Sequence, residues 1–138
     1  MQATSMNTGV ERILGPLESA IMRLLWKAGD ASVPMVLTRL NEDRERPLAY
    51  TTVMTVLVRL HEKALVTRRF EGRGYAYSAA LTENELIDAA SARAVDDLVR
   101  RFGTPALVHF AERLDRLDAQ ARAELERLAT RTSEKDVP

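Results

Sequence analysis

TTVMTVLVRLHEKALVTRRFEGRGYAYS, residues Thr51 to Ser78, runs a helical apolar pattern directly into two β-prone segments. Val53, Val56, Leu57, Leu60 and Ala64 recur at steps of three and four, which predicts a helix over about Tyr50 to Ala64 with one inner face. Leu65 to Phe70 and Tyr75 to Ala79 then predict a hairpin, because Glu71-Gly72-Arg73-Gly74 between them has the chemistry of a tight turn. A helix followed by a basic hairpin is the layout of a winged helix. Such a helix can enter a major groove while Arg68, Arg69 and Arg73 on the hairpin reach adjacent phosphates.

The outer face of the same helix carries Thr51, Thr55, Val58 and Glu62, flanked by Thr52 and Arg59. Threonine is a mediocre helix former, so three of them near a helix start cost a few tenths of a kcal/mol each, roughly, unless their hydroxyls are used. Helix caps and base edges are both candidate uses. In a duplex the methyls can pack on thymine and the hydroxyls can bond base edges or phosphates. The expected DNA contacts are Tyr50, Thr51, Thr52, Met54, Thr55 and Arg59 on the helix, Lys63 just after it, and Arg68, Arg69 and Arg73 on the wing. For Arg59 the competing role is an ion pair with Glu62 or with an acid of the preceding helix. Tyr75 and Tyr77 share one strand face, and packing of the wing on the body is favoured there over base stacking.

Working outward, Pro16 suits a first helical turn, and Leu17, Ile21, Leu24, Leu25 and Ala28 recur at helical spacing up to Gly29, with Trp26 expected in the core. Ser32 can cap a second helix with Pro34 in its first turn and Val36, Leu37 and Leu40 inside, until the polar run Asn41 to Pro47 forms a loop. From Thr82 the composition changes: Thr82 with Glu85 makes a capping box, and helical sequence follows to Phe102. Gly103-Thr104-Pro105 ends that helix and starts another, with Thr104 as cap, and Asp118 caps a last helix ending near Thr130.

The expected fold is therefore mainly α with a small β-wing: a winged helix-turn-helix DNA-binding domain over 9–80, then a helical dimerisation domain over 81–131. The tails 1–8 and 132–138 are expected to be disordered. Three short helices bury little apolar area alone, so a homodimer is the economical solution. Its interface is expected to use Leu98, Phe102, Leu107, Phe110, Leu114, Leu117, Leu125 and Leu128.

The chain has 138 residues, 46% hydrophobic and 29% charged, which suits one ordinary domain or two small ones with a core. No basic-then-apolar leader and no long apolar run is visible, so a cytoplasmic location without membrane insertion is expected. Its formal net charge is zero, but the charge is unevenly spread. Residues 1–80 hold eleven Lys plus Arg against eight Asp plus Glu, and residues 50–77 hold five against two. Near-neutrality keeps one alternative open, a winged helix serving as a protein-interaction adaptor without DNA affinity.

Enzymatic chemistry finds little footing. There is no cysteine, and His61 and His109 are the only histidines, so neither a cofactor nor a metal is expected. His61-Glu62 is half of a zinc-protease motif, but position 65 is Leu65. Asp96 and Asp97 are adjacent on a helix and point apart, and Ser91 has no evident base and acid partner.

Leu17 to Trp26 (LESAIMRLLW), Tyr50 to Leu60 (YTTVMTVLVRL), Lys63 to Val66 (KALV) and Gly72 to Tyr77 (GRGYAY) together closely resemble the penicillinase-repressor family of the BlaI, MecI and CopY type, from about Leu14 to Leu128. The resemblance implies a homodimeric repressor that grips an inverted-repeat operator with two winged helices and dimerises through its C-terminal helices. It also implies a membrane-bound sensor protease that answers β-lactam or cell-envelope stress by cleaving the C-terminal domain. The chain departs from the family pattern in three respects. Met54 stands where Arg is common, His109-Phe110 stands where the cleaved bond is Asn-Phe, and the copper-responsive branch's cysteine motif is missing.

Overall fold

The computed structural model describes residues 9–116 and 119–135, with side chains up to residue 130. It comprises α1 (Gly9–Ile13), α2 (Pro16–Ala28), β1 (Asp30–Ser32), α3 (Val33–Asn41), α4 (Tyr50–Glu62), β2 (Val66–Glu71), β3 (Gly74–Ala79), α5 (Glu83–Phe102), α6 (Thr104–Leu114) and α7 (Ala119–Lys135). Two compact units divide between Ala92 and Arg93. The division therefore falls later than the composition change near residue 80, because Leu86 is buried and Ile87 packs against the same core as α2 and α4.

In the first unit the apolar stripes of α2, α3 and α4 converge. Ile21, Met22, Leu25, Val36, Val53, Leu57 and Leu60 are essentially inaccessible to solvent. Each such side chain contributes about 1.5–3 kcal/mol of burial. Ser32 caps α3 as expected, its hydroxyl accepting from the Met35 amide at 3.3 Å. Asn41 fastens the following loop: its Oδ1 accepts from Leu48 N at 2.8 Å and its Nδ2 donates to Leu48 O at 3.2 Å. Trp26 is half-buried rather than fully inside, because its Nε1–H reaches out to donate to Leu81 O at 2.8 Å.

Two elements go beyond the sequence reading. α1 closes one end of the core with Val10, and β1 adds a third strand in the order β1-β3-β2, all antiparallel. Gly29, at φ +92, turns the chain so that Asp30 to Ser32 can pair with Ser78 to Ala76. The wing closes through Gly72-Arg73 between the paired residues Glu71 and Gly74, with Gly72 at φ +65 as a type II′ turn requires.

α4 ends earlier than predicted. Ala64 was expected on its inner stripe; instead it is exposed at φ +64, just past the helix, where Leu65 N–H bonds back to Leu60 O at 3.0 Å. That left-handed residue is the reversal that sends the chain into β2.

In the second unit, among the described residues, no side chain is buried. The capping box at the start of α5, in the first unit, forms in both directions: Thr82 N to Glu85 Oε1 at 2.8 Å and Glu85 N to Thr82 Oγ1 at 3.1 Å. Thr104 is the first residue of α6 rather than its cap. Gly103, at φ +68, takes the cap position, leaving Pro105 in the first turn. α7 continues to Lys135, beyond the expected end near Thr130 and into the stretch expected as tail. Leu117, Asp118, residues 1–8 and residues 136–138 lie outside the described residues.

Candidate nucleic-acid interface

α4 buries Val53, Val56, Leu57 and Leu60 against the body, and this fixes which side chains it presents outward. Thr51, Thr52, Thr55 and Arg59 are exposed and, with Val56, line one shallow concavity. The N-cap of α4 is Ala49, which has no side-chain cap hydrogen bond. None of the three threonine hydroxyls bonds to another group among the described residues, so capping does not account for them. They sit at the positive end of a helix whose first turn holds no acid. Arg59 forms no ion pair among the described residues; the alternative pairing with Glu62 is not made. Tyr50 is exposed and Met54 half-buried, both at the N-terminal end of the helix.

The basic side chains around the helix differ in how free they are. Lys63 donates to Glu18 Oε2 on α2 at 3.0 Å. Arg69 reaches Glu71 Oε2 at 3.0 Å and Asp30 Oδ2 at 3.1 Å, and these carboxylates, Glu71 first, hold its pKa above the ordinary guanidinium value. Arg68 lies over the Tyr75 ring, its guanidinium carbon 4.3 Å from the centroid. Arg73, in the turn of the wing, has no such partner among the described residues. Sequence alone treats the three wing arginines alike. Folding separates them, because β1 brings Asp30 within reach of Arg69 and the hairpin register brings Tyr75 within reach of Arg68. Tyr75 and Tyr77 divide similarly: Tyr77 is fully buried, whereas Tyr75 stays accessible and meets Phe70 edge-on at 5.4 Å.

The expected interface residues of the second unit stand in a different setting. Leu98, Phe102, Leu107, Phe110, Leu125 and Leu128 are exposed in the single chain, and Leu114 is half-buried. His109 and Phe110 lie in the middle of α6, with the His109 ring 3.6 Å from Glu112. Among the described residues no group of acids and histidines could hold a metal ion, and no helix is long and apolar enough to cross a membrane.

The sequence model of the penicillinase repressor family matches residues 14–131. "Transcriptional regulator BlaI" from two strains of Mycobacterium tuberculosis is 41% identical over 118 residues, covering 80% of this chain and 81% of the relative. Among solved structures, the DNA-binding domain of the repressor BlaI is similar at 24% identity and a TM-score of 0.47, covering 52% of this chain and 85% of that one. A MarR family protein from Bacillus stearothermophilus is similar at 14% identity and a TM-score of 0.45, covering 88% and 74%. With the family pattern spanning most of its length on a three-helix, three-stranded winged fold, the chain belongs to the penicillinase repressor family of DNA-binding winged-helix transcriptional regulators.

Proposed function

We propose that the protein is a homodimeric repressor that binds an inverted-repeat operator, placing one α4 in each of two major grooves and one wing on the flanking backbone. The observation that carries this is the outer face of α4: three exposed threonine hydroxyls at the helix start and Arg59 one turn on, none of them with a partner among the described residues. In this reading Tyr50, Thr51, Thr52, Met54, Thr55 and Arg59 meet base edges and nearby phosphates. Lys63, Arg68, Arg69 and Arg73 position the backbone, with Arg73 making the largest share because it gives up no partner among the described residues. Dimerisation is supported by the exposed apolar side chains of α5, α6 and α7, which a second copy of the chain would cover.

Relief of repression, by analogy with the family, would answer β-lactam or cell-envelope stress through a membrane-bound sensor protease acting at His109-Phe110. That bond lies within α6, so cleavage would require the helix to open locally first.

The test is a gel shift at two salt concentrations with the DNA upstream of the coding region and with a scrambled duplex of equal length. Salt-dependent retention that prefers a palindrome is expected, together with a dimeric mass by sedimentation at micromolar concentration. Equal retention of both duplexes, or a monomeric mass, would refute it.

A further inference from the structure

The outward side chains of α4 lack most of the groups that read bases by paired hydrogen bonds. In a major groove adenine is matched by a carboxamide, cytosine by a carboxylate and guanine by arginine or lysine. α4 holds no asparagine, glutamine, aspartate or lysine; its one arginine is Arg59, and its one glutamate, Glu62, is its last residue. The first turn and a half instead presents Thr51, Thr52 and Thr55, all exposed, and the half-buried Met54. At 100° per residue Thr51 and Thr55 stand in the middle of this face, one turn apart, with Thr52 on one side and Met54 on the other. The threonines line one shallow concavity, and Met54 lines a cleft at the same end of the helix beside the exposed Met35.

We infer that this end of α4 selects its half-site through thymine methyl groups, with the three threonine methyls and Met54 forming their apolar seat. The inference deepens the DNA-binding mode proposed above and rests on it. A hydroxyl both donates and accepts, so the threonine hydroxyls match the edge of any base and discriminate little. The C5 methyl is the major-groove feature that an apolar surface recognises, and among the four bases thymine alone carries it. Met54 suits such a seat because its unbranched, polarizable thioether adapts to the shape it meets. From Thr51 to Thr55 the helix rises about 6 Å, against roughly 3.4 Å per base pair, so the seat spans about two base pairs of each half-site. Arg59, about 6 Å further along the axis, is left for a guanine or a phosphate.

The probe is the palindromic duplex that the full-length protein retains from the DNA upstream of its coding region, made once with thymine and once with deoxyuridine throughout. Uracil pairs as thymine does and lacks only the methyl, so the phosphates and the hydrogen-bonding edges stay as they were. The uracil duplex should bind at least about tenfold more weakly, at an unchanged salt slope because no phosphate contact is lost. A scrambled duplex, held through its phosphates, should not respond to the exchange. The triple variant T51S/T52S/T55S removes three methyls and keeps every hydroxyl. It should hold the thymine duplex about as weakly as the parent protein holds the uracil duplex, and tell the two apart by less than about threefold. Met54→Ala should reduce the discrimination separately, so the second variant decides if the first disturbs folding by circular dichroism. Equal affinity of the parent protein for the two duplexes overturns the inference. Full discrimination kept by both variants also overturns it, since the uracil effect then comes from the shape of the duplex and not from these side chains. A palindrome retained without regard to its methyls sinks the thymine reading and leaves the repressor standing; retention of no duplex removes both.

Discussion

Residues 9–92 and residues 93–135 solve the folding problem in opposite ways. The first unit encloses fifteen buried apolar side chains, from Val10 to Leu86, around three helices and a small sheet. The second, among its described residues, encloses none, and leaves Val95, Leu98, Phe102, Leu107, Phe110, Leu125 and Leu128 open to water. Both are rich in helix, and both have apolar residues at helical spacing. Local periodicity therefore does not distinguish a helix whose apolar stripe is covered within the chain from one whose stripe stays exposed. What distinguishes them is whether three stripes can converge on one another, and in the first unit α2, α3 and α4 do.

Substitutions can break or sharpen this contrast. The largest effect is expected in the enclosed core: Leu57→Ala leaves a cavity under α4 and should cost about 2–5 kcal/mol in urea unfolding. It should abolish palindrome retention while sedimentation still reports a dimer; loss of the dimer as well would show that the units do not fold separately. Next, Phe110→Asp places a charge on the open face of α6 and should raise the dimer dissociation constant by about a hundredfold or more, close to 3 kcal/mol. Its near-unchanged thermal unfolding of the first unit would sharpen the contrast, and an unchanged dimer mass would break it.

Two smaller effects probe the first unit alone. Ala64→Gly relieves a left-handed alanine beyond α4 and should stabilise by about 1 kcal/mol, read as a higher urea midpoint at unchanged slope. Arg73→Ala should weaken all duplexes alike and lower the salt slope by about one unit, whereas Arg69→Ala should change it less, because the charge of Arg69 is already offset by Glu71 and Asp30. Equal slopes for the Arg73 variant and the parent protein would remove the wing contact.

Much of this was legible in advance because its causes are local. The inner stripe of α4, the glycine turn of the wing, the Ser32 cap and the Thr82-Glu85 box each depend on residues a few positions apart. The features that escaped have distant causes. Asp30-Ala31-Ser32 has no β-forming character and becomes a strand only because β3 offers it an edge. The inequality of the wing arginines depends on that same strand, which delivers Asp30 to Arg69 across β3. Ala64 looked helical because its spacing fits the stripe, but the chain must reverse there for Val66 to enter the core. Trp26 packs against the core as expected, but the bond of its indole N–H to Leu81 O spans 55 positions and no local pattern announces it.

Taken by itself, the order of residues determined where helices and the hairpin form and which face of α4 is polar, since periodicity, caps and turn residues act within a few bonds of one another. Only the folded arrangement decided, among the described residues, which wing arginines meet a carboxylate or a ring and which does not, and where Asp30 and Leu81 come to lie. Those outcomes arise from groups far apart in the chain brought to within hydrogen-bonding distance, and no local pattern encodes that proximity.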